Sequence, residues 1–332
     1  MKAVVLPEIG SQPIVTDTEL PELREGWVRL KVIRSALCYR DLLTIKGFFP
    51  QAKPPLILGH EFTGEVVESR SRRYSKGDRV VALPYTFCGE CEYCLTGREN
   101  LCRSREWYGE HLHGSHAEYI DVREESLLKI SGDIEPNYSS IASCVIGMII
   151  NGLDSVGGIN TGDKVVVTGA SGGVGIHAVQ VAKAYGAYVI GVTRSREKEE
   201  FIYSAGADQV VYSPGFSKEV KKIGGADVVI ETVGEPTFIE SLRSLKWGGR
   251  AVVIGNVNVK PVELPLGLVI LRQNTISGDL SSTKKTLYKA IRLYRDGQVK
   301  AIGREMRLED FETALQHMEK GLSRGRVFLK PW

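Results

Sequence analysis

Six cysteines and one histidine–glutamate pair carry the strongest chemical signals in this chain. Cys88, Cys91 and Cys94, in Cys88-Gly89-Glu90-Cys91-Glu92-Tyr93-Cys94, are followed closely by Cys102. Four thiolates complete a tetrahedral shell around zinc, and a closed shell leaves no position for substrate, so the spacing predicts a structural metal site. Two disulfides or four free thiols are the alternatives. Cys38, Gly59-His60-Glu61 and Cys144 form a dispersed set. Cysteine, histidine and cysteine beside a carboxylate could hold a catalytic zinc with an open coordination position. Taken singly, each also fits a plain role, because free cysteine is often buried as a small apolar residue.

A third signal is Gly169-Ala170-Ser171-Gly172-Gly173-Val174-Gly175. It follows Lys164 to Thr168, an apolar β-branched run that reads as a buried strand, and precedes Val174 to Tyr185, where apolar residues recur at helical spacing. A glycine turn between strand and helix lets backbone N–H groups approach a diphosphate at the positive helix end, as in dinucleotide sites. The second strand of such a unit usually ends in an acid that binds the ribose hydroxyls. Here Arg194 stands there, with Ser195 and Lys198 nearby. A guanidinium and an ammonium suit a 2′-phosphate, which points to NADP(H). The plain alternative is that Ser195 caps a helix while the cations are solvated.

These groups need elements to hold them. Residues 1 to about 150 carry short alternating runs such as Val28-Arg29-Leu30-Lys31-Val32, the pattern of a largely β domain. From about 151 to 281 strand and helix alternate, with strands expected at Lys164–Thr168, Tyr188–Val192, Gln209–Tyr212, Asp227–Ile230, Arg250–Ile254 and Asn274–Ser277. That rhythm predicts an α/β doubly wound parallel sheet. Amphipathic helices around Lys284–Asp296 and Leu308–Lys320 and a strand at Arg326–Leu329 close the chain. The 332 residues suffice for two domains, and 42% hydrophobic with 25% charged residues describe a globular protein. A net charge of +3 without a basic run argues against nucleic acid or a membrane surface as partner. No signal peptide or membrane span is apparent, which suggests a cytoplasmic protein.

As an ordered set, these motifs resemble the zinc-containing medium-chain dehydrogenase/reductase family. The likeness runs from Met1 to about Pro331 and takes in Cys38, Gly59-His60-Glu61, the four-cysteine lobe, Cys144, the glycine turn, Glu231-Thr232-Val233-Gly234 and Gly325-Arg326-Val327. It implies a GroES-like, mostly β catalytic domain over 1–150 and 282–332, with a zinc lobe at about 86–104. A Rossmann NADP-binding domain over 151–281 would be inserted into it, with a cleft between the two. It also implies a homodimer or homotetramer joined through the nucleotide domains. Carried over by position, Cys38, His60 and Cys144 look like catalytic-zinc ligands, and Glu61 like a carboxylate that can enter the shell. Cys88, Cys91, Cys94 and Cys102 look like the structural-zinc ligands. Gly172, Gly173 and Val174 match the diphosphate turn, Thr232 and Val233 the wall beside the cofactor, and Arg326 a pyrophosphate contact.

Departures from the family pattern bear on the substrate. Alcohol dehydrogenases of the family usually have Ser or Thr two residues after the first cysteine, where a hydroxyl passes on the alcohol proton. Arg40 stands there and is a poor relay. Cys38-Tyr39-Arg40-Asp41-Leu42 instead resembles a stretch of zinc-free quinone and enoyl reductases. With Val167 to Ala184 and Ile254-Gly255-Asn256-Val257, it is most similar to archaeal acryloyl-coenzyme A reductases, which adds Gly255 and Asn256 to the cofactor candidates. The resemblance implies hydride transfer from NADPH to an activated C=C bond, as in an enoyl thioester of coenzyme A, with Tyr39 or water as proton donor. Arg40 is expected to meet an acidic group of substrate or cofactor, to be solvated, or to pair with Asp41. Tyr39 has the alternative of loop packing. Against this reading, Gly47-Phe48-Phe49-Pro50 has Phe49 where some enoyl-thioester reductases carry an acidic tyrosine. His111, His113 and His116 are expected to be exposed beside the zinc lobe, with a third metal site as the alternative. Zinc-dependent alcohol oxidation or aldehyde reduction is the rival activity, and a non-catalytic NADPH-binding protein the rival of another kind.

Overall fold

In the computed structural model, which describes residues 1–332, the alternation near Val28 becomes an eleven-residue strand, Trp27–Leu37. Val28, Leu30 and Val32 are buried while Arg29 and Lys31 are partly exposed, the period-two signature of a half-covered sheet. This strand pairs antiparallel with Phe62–Ser69 on one side. On the other side it pairs with Tyr119–Arg123 near its start and Arg326–Lys330 near its end. The seven-stranded sheet continues through Arg79–Ala82 to Leu127–Lys129 at one edge and to Gly303–Arg307 at the other. A smaller sheet joins Ile14–Asp17, Lys2–Leu6 and Leu56–Ile57. Phe62, Val66, Val80, Tyr108 and Ile120 build one core cluster, and Leu37, Leu58, Phe311, Val327 and Leu329 another. These elements form one compact unit of Met1–Gly147, Ser281–Ile291 and Gly303–Trp332.

Met148–Leu280 and Arg292–Ile302 make the second unit, so its main segment is an insertion between parts of the first. Its sheet is six-stranded and parallel, in the order Gln209–Tyr212, Tyr188–Thr193, Lys164–Val167, Ala226–Glu231, Leu245–Val253, Thr275–Gly278. The first strand in sequence lies centrally and the chain runs out to one edge before returning to the other, the doubly wound arrangement. Val166, Ile190, Val192, Phe216, Val229 and Ala251 pack in its core. The strand expected at Arg250–Ile254 begins earlier, at Leu245. Arg292–Ile302 lies with this unit rather than with the rest of the tail, and the reason is polar. Gln180 bonds both backbone groups of Lys300, at 3.0 and 3.1 Å, and His177 Nε2 accepts the Ile302 N–H at 3.0 Å.

Between the helices Pro136–Ile141 and Met148–Ser155, the fully buried stretch Ala142–Gly147 is wound as a wide, π-type turn. Such turns widen a helix locally and often mark functional positions. No helix is long and apolar enough to cross a membrane.

Candidate metal centres and nucleotide site

Cys38 follows the long strand directly and stands at the N-cap of the helix Tyr39–Ile45. Asp41, in the first turn, folds back so that its Oδ2 accepts the Cys38 N–H at 2.8 Å. His60 and Glu61 follow Gly59, whose φ of +99° suits glycine, and lead into Phe62–Ser69. Cys144 comes from the wide turn. One ligand atom from each of Cys38, His60, Glu61 and Cys144 lies within 4.8 Å of the others, so residues scattered over a hundred positions meet. His60, Glu61 and Cys144 are buried, and His60 Nε2 has no hydrogen-bond partner. A bare buried imidazole nitrogen facing two thiols and a carboxylate fits zinc, whose ligands include all three types.

The charges of this cluster act on one another at close range. The hydrogen bond with Cys144, aided by Arg326 and His60, draws the Cys38 thiol well below its usual range. The same bond and burial push Cys144 up. Burial raises the Glu61 carboxyl to about 8 against the opposing pull of Arg326. Asp41 Oδ1 lies 3.5 Å from His60 Nδ1. Although burial would raise Asp41, the two imidazoles around it, His116 and His60, hold it well below the carboxylate range.

Cys88, Cys91, Cys94 and Cys102 meet in the same way. Their sulfurs lie 3.5–3.8 Å apart in three pairs, and all six cysteines of the chain are free thiols. The Cys88 N–H donates to the Cys102 sulfur and the Cys91 N–H to the Cys88 sulfur, each at 3.4 Å.

Three expectations around Cys38 need correction. Arg40 does not pair with Asp41, whose oxygens face the two histidines. Its guanidinium is bound twice to the buried Glu110, through Nε and through Nη2 at 3.1 Å, and lies over the Phe49 and Trp107 rings at 4.2 and 4.5 Å. Gln51 donates to the same carboxylate. Tyr39 is the first residue of a helix rather than part of a loop. His111 and His113 are exposed as expected, but His116 is fully buried between Ser35 and Asp41. No local pattern signals Glu110, seventy positions from Arg40. Asp41 carries a legible sign, an acid three residues after a helix cap.

In the second unit the glycine turn joins Lys164–Val167 to the helix Gly175–Ala184. A Cβ on Gly175 would fall 2.2 Å from the Gly169 carbonyl oxygen, so the turn closes only with glycine there. Gly172, Gly173 and Val174 lie in this turn, and the Gly173 carbonyl accepts from His177 Nδ1 at 2.7 Å. Thr232, Val233, Gly255 and Asn256 gather beside it at the carboxyl ends of two adjacent strands. A Cβ on Gly169 would come within 2.9 Å of Thr232 and Val233, and one on Gly255 within 2.1 Å of the Thr232 carbonyl. Glu231, which sequence reasoning left without a role, organises this corner. Its Oε1 accepts from the Thr168 and Thr237 hydroxyls at 2.7 Å and from the Val233 and Gly234 N–H groups at 2.9 Å, and Oε2 accepts from Ser241 at 2.5 Å. Arg194 is exposed just after Tyr188–Thr193, followed by Ser195 and Lys198, and Ser195 makes no side-chain cap bond. Arg326 belongs to the first unit, where it binds Glu61.

Comparison with known proteins agrees with this architecture. Residues 24–132 match the alcohol dehydrogenase GroES-like domain model, and residues 173–296 the zinc-binding dehydrogenase model. The acryloyl-coenzyme A reductase of Sulfurisphaera tokodaii is 43% identical over 337 residues, covering 100% of both chains. An alcohol dehydrogenase of Geobacillus stearothermophilus is 33% identical, with 99% of each chain covered. Among solved structures, the alcohol dehydrogenase of Aeropyrum pernix superposes with a TM-score of 0.92 at 26% identity over 100% of both chains.

Proposed function

From the premise that this chain belongs to the zinc-containing medium-chain dehydrogenase/reductase family, a family of oxidoreductases that use a nicotinamide cofactor, we propose that it reduces a small activated alkene with NADPH. An enoyl thioester of the acryloyl-coenzyme A kind is the substrate class this reading favours. The observation that carries it is Arg40. A guanidinium tied to Glu110 and lying over the Phe49 and Trp107 rings occupies the position where an alcohol proton relay would need a hydroxyl. The full-length likeness to acryloyl-coenzyme A reductase supports the same reading.

In this scheme Cys38, His60 and Cys144, with Glu61 at hand, hold one zinc, and Cys88, Cys91, Cys94 and Cys102 a second. The first ion would supply positive charge for an oxyanion developing on the substrate carbonyl. The nicotinamide cofactor would supply the hydride that adds to the β-carbon. The chain's own part is to bind and orient. Gly172, Gly173 and Val174 present backbone to the diphosphate, Thr232, Val233, Gly255 and Asn256 wall the cofactor, and Arg194, Ser195 and Lys198 meet the 2′-phosphate. Arg326 is the pyrophosphate candidate and also fixes Glu61. Tyr39, or water, gives the α-carbon its proton, completing addition of hydride and proton across C=C.

Zinc-dependent aldehyde reduction is the second reading, favoured by the intact Cys38–His60–Cys144 set and the alcohol dehydrogenase relatives. NADPH consumption measured with acryloyl-coenzyme A and with short aldehydes separates the two. Turnover of the thioester is expected, and turnover confined to aldehydes overturns the first reading.

A second copy of this chain is the partner we expect at the open sheet edge, Thr275–Gly278. The adjacent helix Leu266–Arg272 exposes 63–73% of Leu266, Ile270 and Leu271 to solvent, an apolar face typical of subunit contacts. Sedimentation of the intact protein tests this, with a dimer or tetramer expected. Six reduced thiols suit the cytoplasm, where we place it.

A further inference from the structure

We infer that His116 is a positioning residue for His60, acting through Asp41, an inference that rests on reading Cys38, His60 and Cys144 as a zinc site. His116 has no exposed surface. Its Nε2 lies 3.3 Å from Asp41 Oδ2 and its Nδ1 2.6 Å from Ser35 Oγ, which in turn lies 3.3 Å from Ser115 Oγ. An ionised carboxylate only accepts hydrogen bonds, so His116 Nε2 carries the proton and Nδ1 accepts from the Ser35 hydroxyl. Asp41 then has three donors around it. The Cys38 N–H and His116 fix Oδ2, leaving Oδ1 for His60 Nδ1. That arrangement selects the His60 tautomer whose Nε2 is bare, and this is the nitrogen found buried without a partner.

The ring also shapes the chain that carries His60. A Cβ on Gly59 would sit 2.6 Å from His116 Nδ1, so His116 fills the space beside the backbone immediately before the candidate ligand. Its other neighbour is Phe311, whose ring centroid is 5.4 Å away. His116 thereby sets both the carboxylate on the His60 ring and the approach of its backbone. Outer partners of this kind are worth about 10- to 100-fold in metal affinity.

The test uses the full chain. Zinc affinity at the Cys38 site is read by competition with a chromophoric chelator, and its geometry by the visible spectrum of the cobalt-substituted protein. Wild type is expected to hold two metal ions. His116→Phe, which keeps a ring but no polar atom, should weaken the Cys38 site by about 10- to 100-fold and alter the cobalt bands, while the cysteine lobe keeps its ion. His116→Gln, able to donate to Asp41 and accept from Ser35, should recover most of the affinity. Should His116→Phe misfold, Ser35→Ala gives a milder loss of the same kind. Wild-type affinity and spectrum in a folded His116→Phe overturn the inference while the zinc reading stands. Equal losses in the Phe and Gln variants also overturn it, by showing that only packing matters. No metal at Cys38, His60 and Cys144 in the wild type sinks both.

Discussion

Arg326 and Glu61, 265 positions apart, form a two-pronged ion pair inside the first unit, with Nε 3.0 Å from Oε2 and Nη2 on Oε1. They are 5% and 1% exposed. Removing one partner of such a pair leaves the other desolvated and alone, a loss of about 3–5 kcal/mol. Arg326→Met should therefore lower the unfolding free energy by about that amount in denaturant titration. A loss below about 1 kcal/mol would mean that Glu61, whose carboxyl burial already raises to about 8, takes up a proton once the guanidinium is gone instead of keeping an unpaired charge.

Arg194→Ala tests the choice of cofactor. A charge-assisted bond to a phosphate contributes about 1.5–3 kcal/mol, so NADPH affinity should fall roughly 10- to 100-fold. NADH affinity should hardly move, because its ribose bears no phosphate. Equal losses for both nucleotides in a binding titration would remove the NADP(H) assignment.

Metal removal should destabilise through the cysteine lobe. Free zinc at a thousand times its dissociation constant stabilises a folded site by about 4 kcal/mol. A strong chelator should therefore lower the melting temperature of the wild type. Cys91→Ser should hold one zinc fewer per chain and respond much less. An unchanged melting temperature on chelation would argue against a metal in the lobe.

Asp279 supplies a pH-dependent test. Burial raises its carboxyl to about 7 against the pull of hydrogen bonds from the Asn151 side chain and the Leu280 backbone, and Oδ2 has no partner. A carboxyl raised in the folded state favours folding when protonated, so its contribution is complete below the unfolded value near 4 and is lost as pH rises through 7. Asp279→Asn should match wild type near pH 4 and become relatively more stable by up to about 1.4 kcal/mol per pH unit until about pH 7. A stability difference independent of pH would contradict this.

The parts of the molecule legible in the sequence were those set by local pattern. The run Lys164-Val165-Val166-Val167 and the glycines after it announced both strand and turn, because burial on both faces and a tight backbone corner leave few residue choices. Gly303–Arg307 carries no strand signal, since a mostly exposed edge segment needs no apolar alternation. Cys38, His60 and Cys144 could be proposed together only from resemblance. Their meeting depends on the sheet and on a helix far along the chain. Arg40 and Glu110 show the limit more sharply: each reads as a surface charge, and only the fold reveals that Glu110 is buried and must be matched. His116 reads as exposed for the same reason, because an imidazole deep in a protein leaves no mark in sequence unless its partners Ser35 and Asp41 are already known.

The wide turn at Ala142–Gly147 gives the second cysteine of the dispersed set an unusual sensitivity to chain length. Such a turn is one residue richer than the ordinary helix it interrupts. Deleting a single residue there would restore regular winding and rotate the upstream segment by about 100° relative to the helix Met148–Ser155. Substitutions of similar size within the stretch should be borne, whereas any shortening would swing the thiol of Cys144 out of register with its partners.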